Sequence, residues 1–159
     1  MRSPAEAAAV AADSLERFVA SARGRALAAA VEVRREVEFL LPWPPQCAAA
    51  GGALRRRYVH GYIDCLYRDA EGAWRLLDYK TNRVAAANVA ATAARYELQL
   101  LAYSLACEEA LGESLAECTL VLLDPGIEHA YHWNQEEQTA AIEHITAMMD
   151  RQSAAGPAS

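Results

Sequence analysis

Asp78 and Lys80 stand two residues apart in AWRLLDYK (Ala73 to Lys80), a run whose aromatic and apolar residues predict a β-strand. Side chains alternate across a strand, so these two point to one face, about 6 to 7 Å apart. A partner strand is predicted over Arg57 to Tyr67 (RYVHGYIDCLY), and the DAEG between them, Asp69 to Gly72, sets its glycine where a hairpin turn wants one. Pairing across a turn centred near Ala70 and Glu71 brings residue 63 or 64 opposite Asp78, so Asp64 is expected beside it. Two opposed carboxylates repel and weaken a hairpin unless something positive lies between them. Oxygen donors of this kind suit a hard divalent cation, and a magnesium site is the expectation. Glu36, on the acidic face of the preceding strand, is the candidate third carboxylate, directly or through water. Lys80 would position an attacking water, or deprotonate it as the neutral amine, and its ammonium form would stabilise charge developing on a phosphoryl group. The chemistry implied is metal-assisted phosphodiester hydrolysis.

Each residue alone has a plainer explanation. An Asp near a strand end is commonly a solvated turn residue, Glu36 beside Arg34 and Arg35 would make an ordinary surface ion pair, and an edge-strand lysine discourages aggregation. The joint pattern is harder to explain that way, because Asp78 follows Leu76 and Leu77 where a strand should stay apolar. Lys80 is also the single lysine among fifteen basic residues, the rest being arginine. A compact ammonium and a planar fork do different chemistry, so a surviving lysine marks a place to look.

The elements that must carry these residues follow from periodicity. Pro4 to Ala30 is Ala-rich with apolar residues at helical spacing; it predicts two short helices, broken at Gly24, with Asp13 or Ser14 as an internal cap. VEVRREVEFLL (Val31 to Leu41) alternates, with Val31, Val33, Arg35, Val37 and Phe39 on one side and Glu32, Arg34, Glu36 and Glu38 on the other. Pro42, Pro44 and Pro45 are expected to end that strand, and Cys47 to Ala53 reads as a loop. Val89 to Leu111 is predicted helical, placing Tyr96, Gln99, Leu100 and Tyr103 together and closing at Gly112. Cys118 to Gly126 predicts a short strand and turn, Ile127 to Trp133 its partner, and Gln135 to Asp150 a last helix. The order, a helical start, three strands, a helix, two strands and a helix, predicts one α/β domain over residues 1–151 and a disordered tail over 152–159.

Composition limits the alternatives. A chain of 159 residues with 53% apolar and 23% charged residues has the content of a single globular domain. No apolar run approaches the ~18 residues of a membrane span, and the charged N-terminus lacks the apolar centre of a signal peptide, so no membrane association and a cytoplasmic location are expected. Cys47, Cys65, Cys107 and Cys118 are scattered, which argues against zinc, a redox dithiol or a disulfide framework. The formal net charge of −6 disfavours a bulk electrostatic grip on nucleic acid. Arg55, Arg56, Arg57, Arg83 and Arg95 are left as a candidate local phosphate track.

The run GYIDCLYRDAEGAWRLLDYKTNRV (Gly61 to Val84), with REVEF (Arg35 to Phe39) upstream and YELQLLAY (Tyr96 to Tyr103) downstream, resembles the nuclease domain of bacterial helicase-nucleases of the AddA and RecB type. That domain belongs to the PD-(D/E)XK superfamily, and the likeness covers residues 12 to 150. The ordered set of Glu, GxxD, DYKT and QxxxY carries it. The resemblance implies a restriction-endonuclease-like core, a mixed sheet of about five strands flanked by helices. It implies Asp64 and Asp78 as metal-binding carboxylates, the main-chain carbonyl of Tyr79 as a further ligand, Lys80 beside the attacking water, and Glu36 as the acidic residue of the first core strand. Gln99 and Tyr103 match the helix motif that orients the site and meets the DNA backbone, with Arg83 a neighbouring DNA contact.

The activity so implied is a Mg2+-dependent DNA exonuclease, with Mn2+ substituting, acting in double-strand-break repair and recombination. Its single strand would be delivered by a helicase domain in the same parent chain, with a partner subunit. The expectation is thus of the C-terminal part of a larger protein. The family's histidine-bearing helix has no counterpart in residues 1 to 30, which hold no His, and His60 stands at a different position. The cysteines do not fit the iron–sulfur nucleases. The competing reading is a nuclease-like scaffold that binds DNA or partner subunits without cutting; such relatives usually lose the carboxylates or the lysine, which this sequence keeps.

Overall fold

The computed structural model describes residues 4–45, 57–81 and 83–154. Two helices, α1 (Pro4–Ala20) and α2 (Ala22–Ala28), lead into β1 (Glu32–Trp43), β2 (Arg57–Arg68) and β3 (Trp74–Lys80). A 3-10 turn at Ala86–Asn88 opens α3 (Val89–Leu111), followed by β4 (Glu117–Leu122), β5 (Ile127–Tyr131) and α4 (Gln135–Ala154). The five strands form one mixed sheet in the order β1-β2-β3-β4-β5, all neighbours antiparallel except β3 and β4. Parallel strands need a crossover, and α3 supplies it. The expected α/β architecture and strand count are what the fold contains.

The hairpin between β2 and β3 forms as its sequence predicts. Asp69 ties the turn: Oδ1 accepts the amides of Glu71 at 3.1 Å and Ala73 at 2.8 Å, and Oδ2 accepts from Arg75 Nε at 2.7 Å. Gly112 closes α3, its amide donating to the Glu108 carbonyl at 2.9 Å. The largest core lies between the sheet and α3, where Leu76, Leu100, Leu120 and Leu122 are fully buried. On the other face, α1 and α2 cover Cys65, Tyr67, Leu77 and Val121 through Phe18 and Leu27.

Several expectations are corrected. The helical break falls at Ser21 rather than Gly24, because Ser21 caps α2 by accepting the Gly24 amide at 3.1 Å. Gly24 lies inside α2, where an added Cβ would stand 2.3 Å from the Phe18 carbonyl oxygen, so it permits the close approach of the two helices. Asp13 and Ser14 sit within α1, where Asp13 pairs with Arg17 instead of capping. β1 continues through Pro42 to Trp43, since an edge strand tolerates a missing donor. α4 runs to Ala154, so residues 152–154 are helical, and the rest of the expected tail lies outside the described residues, as does the expected loop from Cys47 to Ala53.

The deepest correction concerns the faces of β1 and β2. Their ladder keeps a constant register, from Glu32 opposite Arg68 to Trp43 opposite Arg57. Yet the faces exchange midway. Ile63 packs beneath α3 with Val37 and Phe39, whereas Cys65 packs beneath α1 and α2, and Leu66 is back under α3. On β1, Arg34 is likewise on the α3 side, its guanidinium 4.8 Å from the Trp74 ring centroid. The exchange falls at Glu36 and Asp64, between the rungs Arg35–Cys65 and Val37–Ile63, and Glu36 has φ +50°. The predicted uniform alternation of β1 therefore holds only on either side of Glu36.

Candidate active site

The β2–β3 ladder ends at the rung Cys65–Leu77. One more step in that register sets Asp64 opposite Asp78, and there a side chain takes over from the ladder: Asp64 Oδ2 accepts the Tyr79 amide at 2.8 Å. The N–H and C=O of one strand residue point to the same edge, so the Tyr79 carbonyl is also directed toward β2, beyond the ladder's end. The Tyr79 ring turns the other way, edge-on to Phe18 at 5.4 Å.

Asp78 is 1% exposed, because β3 is an interior strand and α3 lies over this face. Lys80 Nζ stands 2.7 Å from Asp78 Oδ2. The two form an ion pair, and Oδ2 has no other donor; it is the one buried side-chain oxygen or nitrogen among the described residues left without a further partner. Burial pushes the Asp78 carboxyl above the usual carboxylate range; Lys80 works against that rise and the nearby Asp64 adds to it. Taking this carboxylate and its ammonium partner out of water is expensive, so structure alone does not account for an aspartate here.

Helix α3 brings up two more of the expected residues. Gln99 Nε2 donates to the Tyr103 hydroxyl at 2.7 Å, and the Tyr103 ring meets Phe39 edge-on at 5.3 Å. Burial raises the Tyr103 hydroxyl pKa, Gln99 opposes it, and the charges of Asp78, Lys80 and Asp64 all reach it. The glycine of the GxxD run has a steric explanation: a Cβ on Gly61 would lie 2.9 Å from Phe39 Cε1 and 3.4 Å from Tyr103 Cε1.

Asp64, Asp78, Lys80, Gln99 and Tyr103 thus gather on the α3 side and at the open end of the β2–β3 pair. Glu36 is exposed at the face exchange, across the β1–β2 ladder from Asp64, and no three-membered group of His, Cys, Asp or Glu able to hold a metal occurs among the described residues. Arg34 pairs with Glu32, at 2.7 Å, and leaves Glu36 alone. Arg83 is turned away, 3.9 Å from Asp124 at the β4–β5 turn, and Arg57 pairs with Asp150 on α4, so these two do not line up toward the site. His60 engages Glu38 at 2.9 Å. The carboxylates do not sit in an open notch: Asp78 lies beneath Lys80, whose side chain is 19% exposed.

Two features escaped sequence reasoning. Tyr96 holds its ring 4.8 Å from Lys80 Nζ; its spacing of three and seven residues from Gln99 and Tyr103 was the available signal. On the opposite face, Arg23 joins Glu117, Glu128 and Tyr67, while Arg75 bridges Asp69 and Glu117. Burial works against the Glu117 carboxylate, but Thr119, Arg23 and Arg75 hold it ionised, below its usual range. No local pattern marks this network, because Arg23 stands 94 and 105 residues from Glu117 and Glu128 in sequence.

The donor set offered by Asp64, Asp78 Oδ2 and the Tyr79 carbonyl is all oxygen, which fits a hard divalent cation. The sequence matches the family model of the PD-(D/E)XK nuclease superfamily over residues 2–157, and the chain belongs to that superfamily. Among curated proteins it is 37% identical over 131 residues to an ATP-dependent helicase/nuclease subunit from Pelotomaculum thermopropionicum, 79% of this chain and 10% of that protein. It is 40% identical over 124 residues to the protein of the same name from Desulforudis audaxviator, 76% of this chain and 10% of the relative. The match to that of Acetivibrio thermocellus is 31% over 130 residues, 77% of this chain and 10% of the relative. The chain therefore spans about a tenth of the length of these relatives. The expected kinship with the AddA type is what these matches show. No helix among the described residues is long and apolar enough to cross a membrane.

Proposed function

We propose that this domain hydrolyses DNA phosphodiester bonds with a divalent cation, magnesium in the cell and manganese as a substitute, held by Asp64, Asp78 and the Tyr79 carbonyl. The observation that carries the reading is the buried Asp78 carboxylate, paired with the single lysine and set beside a second carboxylate. The chemistry such an ion supplies when bound is polarisation of a phosphoryl oxygen and acidification of a water. Asp64, fixed by the Tyr79 amide, keeps one carboxylate from rotating away from the other. Lys80 orients the attacking water through its three donors and offers positive charge to the phosphoryl oxygens as they gain negative charge. Gln99 and Tyr103 hold the rim of the site and meet the phosphate backbone. Glu36 is a second-rank candidate, acting through water.

The charge distribution favours a strand that is delivered. The net charge is −6 and Arg57 and Arg83 are committed to other partners, so the domain has little bulk grip of its own. The relatives are named helicase/nuclease subunits, and on that basis we read this domain as the exonuclease part of a larger bacterial protein. A helicase in the same parent chain would feed it single-stranded DNA, with a partner subunit, in double-strand-break repair and recombination in the cytoplasm.

The test is cleavage of end-labelled linear single-stranded DNA with Mg2+, with Mn2+ and with EDTA. Cleavage should need the cation and fall by at least about a hundredfold in Asp78→Ala and Lys80→Ala while the circular dichroism spectrum is retained. Equal behaviour of wild type and both variants would instead favour the non-cutting scaffold.

A further inference from the structure

Lys80 carries the flexible four-carbon stem of every lysine, and one residue pair on its own strand gives that stem an easy resting place. Its ammonium pairs with Asp78 on the same strand, and a second attraction acts on it from α3. Nζ is 2.7 Å from Asp78 Oδ2, and it stands 4.8 Å from the centroid of the Tyr96 ring. A ring face is electron-rich and attracts an ammonium within about 6 Å. Tyr96 sits in the second turn of α3, half-buried, on the helix face that also carries Gln99 and Tyr103. Its ring is thus fixed by the same helix that packs over the site, whereas Lys80 arrives from the sheet.

We propose that Tyr96 is a positioning residue, which uses its ring face to hold the Lys80 ammonium at the rim of the site, beside Asp78 Oδ2. This rests on the reading of Lys80 as the group that serves the attacking water. Two attractions pulling from different directions, a carboxylate on β3 and a ring on α3, fix a side chain that neither would fix alone. The ring supplies no proton and no ligand, so the face matters and the hydroxyl does not.

Because Lys80 is the single lysine of the chain, protein grown with 13C,15N-lysine shows one lysine side chain by NMR. In the wild type, the Lys80 Hε protons should show cross-relaxation to the Tyr96 ring protons and an upfield ring-current displacement. Tyr96→Phe should keep both, and Tyr96→Leu should lose both. On single-stranded DNA with Mg2+, Tyr96→Leu should lower kcat roughly two- to thirtyfold with KM little changed, and Tyr96→Phe should retain most of the activity. Absence of the cross-relaxation in the wild type overturns the proposal even if Tyr96→Leu fails to fold. So do lysine resonances, or a kcat, that are the same in a folded Tyr96→Leu as in the wild type. A wild type that shows the contact but cuts no DNA refutes the nuclease reading instead, and leaves the ring-held ammonium standing.

Discussion

Asp64 accepts its hydrogen bond from the main-chain amide of Tyr79, the residue that directly follows Asp78. One carboxylate of the pair is thereby fastened to the strand that bears the other, and neither can swing clear to relieve their repulsion. The strain of that arrangement falls on Asp78, which has burial against it as well.

Asp78→Asn should therefore separate function from stability. The folded protein raises the Asp78 pKa above its unfolded value, chiefly by burial. The native state then binds the proton more tightly, so stability falls as pH rises from the ordinary carboxylate range through the raised value. At neutral pH the ionised form is a cost, and removing the charge should raise Tm by about 2–4 °C. The gain should shrink as pH drops toward about 4 and stay small below it, where the unfolded carboxyl is also protonated. Cleavage should be abolished. Thermal melts of both proteins at several pH values, beside the DNA assay, check this; a lower Tm for the variant at pH 7 would contradict it.

Glu36→Gly tests what the exposed glutamate contributes. A non-glycine residue at φ +50° costs roughly 1–2 kcal/mol, which glycine avoids. Stability in urea should hold or rise. If the carboxylate serves the site through water, Glu36→Gly should lose activity and Glu36→Gln should lose a similar share; equal activity in all three would confine Glu36 to a conformational role.

Gly61→Ala should damage the site from a distance. The added methyl group would meet the Phe39 ring at 2.9 Å and crowd Tyr103 behind it. We expect a loss of about 1–3 kcal/mol in stability, with kcat reduced because Tyr103 is displaced. Chemical denaturation and steady-state kinetics measure the two effects. A smaller partner, as in the double variant Gly61→Ala with Phe39→Leu, should restore part of both.

Arg23→Met belongs to the other face and should affect stability alone. It leaves Glu117 and Glu128 facing one another without their shared partner. Because the Arg23 and Glu117 side chains are 15% and 17% exposed, solvent screens part of the loss, and about 2 kcal/mol is expected. Equilibrium unfolding reads it; kcat on single-stranded DNA should be unchanged in the folded fraction.

Much of this was legible in the chain itself. The DAEG turn and the aromatic and branched runs around it specify the hairpin register closely enough to set Asp64 against Asp78, because turn length and pairing are local. The spacing in YELQLLAY likewise specifies which α3 residues face the sheet. What local pattern does not carry is the face exchange in β1 and β2, since it is imposed by two separate cores pulling neighbouring side chains to opposite sides. Nor does local pattern carry the exposed setting of Glu36 or the contact of Lys80 with the Tyr96 ring, which joins a strand to a helix. Arg57 and Arg83 turn from the expected arginine track because long side chains choose nearby acids, and those neighbours come from α4 and the β4–β5 turn, while Arg55 and Arg56 lie outside the described residues.

The exchange of faces is also hard to erase. Restoring a plain alternation in β2 would drive Cys65 and Tyr67 into the layer already filled by α3, or turn Ile63 out of it. Either move uncovers large apolar groups and would cost more than the awkward backbone angle at Glu36. A protein so built can accept drift in most of its surface and still keep its switched ladder, because the greasy interior on each side acts as the guardian of the geometry between.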